Sequence, residues 1–143
     1  MIEKFQYYID NDLVRKEFPN KSEAKSLIDK ATARHKYVSS QMITAETSQF
    51  IFEDIYETIR EAAQALMEMK GYKPYSHEAV ISFLIEFFKF QTHETSELNR
   101  YRILRNKSVY GDAKISPEVC KAALKFSDEF LPKLKSEFEK LAK

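Results

Sequence analysis

The sequence predicts an all-α protein, an antiparallel, up-and-down bundle of four to five helices, on three observations. Only two glycines and four prolines occur in 143 residues, which leaves few places for hairpins and favours long elements joined by short loops. Apolar residues recur at three- and four-residue spacing through most of the chain. Helix caps and breakers stand at the ends of those runs, notably Asn20, Gly71, Ser76 and Ser116-Pro117, where side-chain acceptors, a left-handed residue or a fixed φ suit a helix terminus.

Residues 1–19 are expected to form a lead-in with a short helix, Phe5, Tyr8, Ile9, Leu13 and Phe18 docking on a neighbour before Pro19. Residues 20–143 form the helical domain. Its first helix should begin near Asn20, with Glu23 reaching back to the cap, and run to about Met42 on a thin stripe of Ala24, Leu27, Ile28, Ala31, Tyr37 and Val38. The second, about Ala45 to Lys70, carries two adjoining stripes, Ile51, Ile55, Ile59, Ala62, Leu66 and Met69 beside Phe52, Tyr56, Ala63 and Met67, with Glu53, Glu57, Glu61 and Glu68 on the far face. So wide an apolar surface belongs at the centre of a bundle. Gly71 ends it, and a turn over Tyr72–Tyr75 follows.

Ser76 caps a third helix, whose Val80, Phe83, Leu84, Phe87 and Phe88 keep helical spacing. Ile81 and Ile85 give it a second apolar face, which a small bundle buries by dimerising. A fourth helix should start near Thr95 or Ser96 and carry Leu98, Tyr101, Ile103, Leu104 and Val109 to Gly111. The fifth opens with a serine cap, a proline in the first turn and Glu118 near the positive end of the dipole. It should bend at Pro132, which lacks the N–H for an intrahelical bond.

The charge is nearly balanced, 23 basic against 22 acidic residues, so electrostatic recognition has to be local. One cysteine and three histidines offer no zinc-site spacing, and no metal or cofactor is expected. With no signal-like N-terminus and no long uncharged apolar run, the sequence reads as cytoplasmic with no membrane partner.

One segment concentrates cations. Arg100, Arg102, Arg105 and Lys107 stand within eight residues that hold no acid, followed by Tyr110 and Gly111. Arginine binds phosphate through two parallel N–H groups, so these are candidate binding residues, although cations near a helix C-terminus also simply favour the dipole. Arg60 lies close to the apolar side of the second helix and is expected to pair with Glu57 or to back Arg105.

The run GYKPYSHEAVISFLIEF in mid-chain, with LRNKSVYGD opening the last hairpin, resembles the HEPN superfamily, the higher eukaryote and prokaryote nucleotide-binding domain, in its small prokaryotic single-domain branch. The resemblance runs from about Asn20 to the C-terminus. It implies a metal-independent endoribonuclease, the toxin or toxin-like member of a pair whose antitoxin is a minimal nucleotidyltransferase, working as a homodimer on RNA or a nucleotide. The family motif is an arginine and a polar residue followed by a histidine. Arg105 and Asn106 match its first half, and Tyr110 stands where the histidine would be, so the resemblance places Arg105, Asn106 and Tyr110 at the reaction; Glu57 and Arg60, read from the second helix, would stand behind them. A tyrosine of pKa about 10 is a poor base at neutral pH. Positions five apart on a helix also diverge by roughly 140°, so Arg105 and Tyr110 meet only if the helix loosens or two copies come together. His77 and His93 are the residues able to supply the missing base if the fold brings either to Arg105. The alternative is a non-catalytic helical module binding a nucleotide or a nucleotidyltransferase.

Overall fold

The computed structural model describes residues 1–143. A short helix, α1 (Phe5–Asp10), and a three-residue strand, β1 (Val14–Lys16), precede α2 (Lys21–Ser39) and α3 (Ser48–Lys70). Strand β2 (Tyr72–Pro74) pairs antiparallel with β1, Arg15 opposite Lys73. Helices α4 (His77–Phe87), α5 (Thr92–Val109) and α6 (Pro117–Ala142) complete an all-α bundle. No helix is long and apolar enough to cross a membrane.

Contacts along the helices give their directions. Asn20, at the start of α2, donates its N–H to the Glu68 carbonyl, while Arg34 further along reaches Asp54, so α2 and α3 are antiparallel. The Ser48 hydroxyl donates to the Ile115 carbonyl just ahead of α6, and Phe52 and Ile59 share an apolar contact zone with Ala123 and Phe126; α3 and α6 therefore run the same way. Helix α5 runs against α6, with Glu94 beside Lys133 and Tyr101 beside Phe126.

Helix α3 is the axis of the molecule. Of the predicted stripes, Ile51, Ile55, Ile59, Ala62 and Leu66 are buried beside Phe52, Tyr56, Ala63 and Met67, and Met69 at the end of the first is partly buried. The far face departs from expectation, because Glu61 and Glu68 are 2% and 3% exposed. α2 covers that side and supplies the compensating charge for Glu61: Arg34 Nε donates to Glu61 at 2.9 Å, with Lys30 Nζ at 3.4 Å. Glu68 has a buried carboxylate oxygen without any partner.

The ends of the elements follow local chemistry. Asn20 accepts from the Glu23 N–H as predicted, and the Glu23 carboxylate meets the Asn20 side-chain amide rather than its backbone. α2 stops at Ser39, short of Met42, and α3 starts at Ser48, later than Ala45, because Thr44 and Thr47 hold the intervening turn through reciprocal N–H to hydroxyl bonds. Ser76 and Ser116 cap α4 and α6. α5 starts at Thr92 instead of Thr95 or Ser96, since Gln91 and Glu94 form a capping box ahead of the serine. α6 continues unbroken through Pro132.

The lead-in is part of the core. Phe5 and Tyr8 are buried, and Phe5 sits edge-on to Tyr72 and Phe87, whereas Phe18 is 94% exposed and docks on nothing. The segment also covers the second face of α4, where Ser82 donates to the Glu3 carbonyl; Ile81 is buried within the monomer, and only Ile85 stays half-exposed. The Tyr72–Tyr75 turn is tied into the small sheet. There Glu17 N–H bonds the Gly71 carbonyl, and Gly71, at φ 83°, would place a Cβ 2.4 Å from the Glu17 carbonyl oxygen. Only glycine satisfies both the left-handed turn and that approach.

Candidate functional site

The first turn of α4, the middle of α3 and the C-terminal half of α5 converge on one group of side chains. Ser76 fixes the start of α4 by accepting the Ala79 N–H, which sets His77 against α3. There the Tyr56 hydroxyl and His77 Nδ1 are 3.1 Å apart, and the two rings lie parallel to within 6°. Tyr56 is only 4% exposed. The Arg105 guanidinium lies 5.9 Å from the Tyr56 ring centroid, so one buried tyrosine touches both the imidazole and the arginine.

Two more arginines complete the group. Arg60, one turn beyond Tyr56 on α3, is gripped by Glu57 through two nitrogens and donates to Gln64 at 2.6 Å. Arg102, one turn before Arg105 on α5, is nearly buried. Its Nε donates to Asn99 at 2.9 Å, and its nearest carboxylate, Glu78, is 3.7 Å away. Arg105 has no carboxylate partner at all and donates to the Asn106 amide oxygen at 3.2 Å. Three guanidiniums thus face two carboxylates, and only Glu57 is closely engaged. The surplus positive charge rests on Arg102 and Arg105.

The electrostatics follow. Burial pushes the Tyr56 phenol far above its ordinary value, against the pull of Arg102, Arg105 and Arg60, so it stays protonated. Burial, reinforced by Arg60 and Arg105, holds the His77 imidazole below its ordinary value, which leaves it neutral at neutral pH. For Glu57, burial opposes ionisation, but the Arg60 hydrogen bond and charge outweigh it and keep the carboxyl below its usual range. The arrangement can offer two guanidiniums to an anion beside an uncharged imidazole that is held through one nitrogen. No group of three or more His, Cys, Asp or Glu side chains is placed to hold a metal.

Not all of the sequence-predicted residues gather here. Arg102, Arg105, Asn106, Glu57 and Arg60 do. Arg100 turns away, paired with Glu97 at 2.9 Å and stacked on Tyr101, and Lys107, further along α5, is exposed. Tyr110 is the C-cap of α5, with its ring 79% exposed. Because α5 stays helical through Val109, the five-residue offset carries Tyr110 off the Arg105 face. The histidine beside Arg105 comes instead from α4. His93 lies in the exposed first turn of α5, and His35 pairs with Asp128.

Sequence reasoning did not single out Tyr56, which fits an apolar stripe as well as Phe would, nor Asn99 and Gln64, which orient arginines. The available signal was the i, i+4 pairing of Tyr56 with Arg60 on a helix whose next neighbour begins Ser-His-Glu. The chain matches no protein-family model and no curated protein.

Proposed function

We propose that the protein binds RNA through its phosphate at Arg102 and Arg105 and cleaves it without a metal, as the toxin or toxin-like member of a HEPN/nucleotidyltransferase pair, with His77 as the base in place of the histidine that the motif lacks at Tyr110. The observation that carries this reading is the convergence on Tyr56 of Arg105, a guanidinium with no carboxylate that lies over the ring, and His77, a neutral imidazole bonded at the hydroxyl.

In the proposed reaction His77 takes the proton of a ribose 2′-hydroxyl, the 2′-oxygen attacks the adjacent phosphorus, and the bond to the leaving oxygen breaks. The leaving oxygen takes a proton from solvent, and a cyclic phosphate remains. Arg102 and Arg105 bear on the phosphate charge that grows in the transition state. The role requires the tautomer in which Nδ1–H donates to the Tyr56 oxygen, leaving the Nε2 lone pair to accept the proton. Burial lowers the basicity of His77 first and Arg60 and Arg105 lower it further; an anionic phosphate beside the arginines offsets their share. Tyr56 then works as a positioning residue and never changes its own protonation.

A homodimer and a minimal nucleotidyltransferase antitoxin remain part of the proposal as partners. The test is incubation of the purified protein with total RNA in EDTA. Cleavage that is abolished by Arg105→Ala supports the reading; no cleavage over a wide pH range, with nucleotide binding retained, points to the non-catalytic binding module instead.

A further inference from the structure

A cavity of about 270 Å³ opens beside the arginine cluster, between the N-terminal segment, α4 and the first two turns of α5. Its floor is apolar, with Ile81, Ile85 and Phe90. Its α5 edge is a polar row of Thr92, Ser96 and Asn99. No charged side chain lines it, so it does not suit a second phosphate. It is smaller than sites that enclose a drug-sized ligand, which limits the occupant to a compact, neutral group.

Asn99 joins this cavity to the cationic site. It lines the cavity and accepts the Arg102 Nε–H through Oδ1, so its amide nitrogen remains able to donate to a ligand. A neutral cavity with an apolar floor and a hydrogen-bonding edge, one helical turn from Arg102, whose only carboxylate is Glu78 at 3.7 Å, and two turns from Arg105, which has none, matches the division of a nucleotide into base and phosphate. Bases are held by contact on their faces and hydrogen bonds on their edges. The half-exposed Ile85 lines this cavity and would pack against a ring face.

We infer that this cavity is the nucleobase subsite for the nucleotide whose phosphate meets Arg102 and Arg105, Asn99 serving both halves. The inference rests on the phosphate reading above, and the experiment separates the two. Calorimetric titration compares adenosine monophosphate, adenosine and inorganic phosphate on the wild type, on Ser96→Trp and on Thr92→Trp; both substitutions place an indole in the cavity from exposed positions of α5. Adenosine monophosphate is expected to bind at least roughly tenfold tighter than phosphate, and both tryptophan variants should reduce it to the phosphate level while leaving phosphate binding unchanged. Adenosine monophosphate binding no tighter than phosphate, or unaffected by both variants, overturns the subsite and leaves the phosphate site standing. Absence of phosphate binding, with adenosine still captured and lost in the tryptophan variants, overturns the phosphate reading while supporting the cavity.

Discussion

Replacing Arg105 by alanine separates a binding role from a structural one, because the structure gives this side chain little to hold. It has no carboxylate partner, its hydrogen bond goes to the neighbouring Asn106, and its approach to Tyr56 is a cation–π contact at 5.9 Å. Losing such contacts costs on the order of 0.5–1 kcal/mol of stability. A hydrogen bond to a charged partner is worth about 1.5–3 kcal/mol, so removing the guanidinium should weaken binding of a single-stranded oligoribonucleotide by roughly 10- to 150-fold. The dependence of log affinity on log salt should become shallower by about 0.7, the loss of one phosphate contact on a single strand. Fluorescence anisotropy across a salt series reads both quantities, and urea denaturation reads the stability. Arg60→Ala provides the contrast, since it leaves half-buried Glu57 without its partner and should lower stability more than Arg105→Ala does. Affinity within about twofold of wild type together with an unchanged salt slope would refute the assignment of Arg105 to phosphate.

Three further outcomes test the fold that holds the site. Arg34→Met leaves the Glu61 carboxylate buried with only Lys30 near it and should cost about 2–3 kcal/mol in urea denaturation, somewhat less than a fully buried pair; adding Glu61→Gln should recover most of that loss. Glu68 is buried with an unpartnered oxygen, and burial, then Glu23 and Glu17, raise its carboxyl above the ordinary range. The folded state therefore holds its proton more tightly than the unfolded one, and stability falls as pH rises from about 4.3 through the folded value. Glu68→Gln should remove that fall and stabilise the protein at pH 7 by about 1 kcal/mol. The two glycines should respond differently to alanine. At Gly111 nothing lies within 4 Å of a new Cβ and only the left-handed backbone is penalised, about 1 kcal/mol. At Gly71 the Glu17 carbonyl must also be displaced, so a larger drop in thermal midpoint is expected there.

The helices were legible because each is signalled by several residues at once. Asn20 with Glu23, Ser76, and Ser116-Pro117-Glu118 mark starts by side-chain chemistry that acts over three residues, and the α3 stripes mark a centre by their width. The β1–β2 pair was not legible, since three-residue strands leave no periodicity to read. The burial of Glu61 and Glu68 was also hidden, because helical spacing places charges on a face without saying that another helix will cover it. At the site, the arginine half was readable from the density of cations in α5. Its partner was not, because the imidazole comes from a helix 28 positions earlier in the chain, at His77 against Arg105, and meets the arginine only through Tyr56. The tyrosine at the motif position is near Arg105 in sequence, while the helix, regular through Val109, carries it off the Arg105 face.

The assignment of the base is the claim that most needs testing, and one comparison does so directly. RNA cleavage in EDTA is measured for the wild type, Tyr110→Phe and His77→Gln, with each variant shown to be folded. Tyr110→Phe is expected to cleave at close to the wild-type rate, and His77→Gln to lose roughly a hundredfold or more, the usual contribution of a positioned general base. Cleavage that survives His77→Gln and disappears in Tyr110→Phe would contradict the assignment.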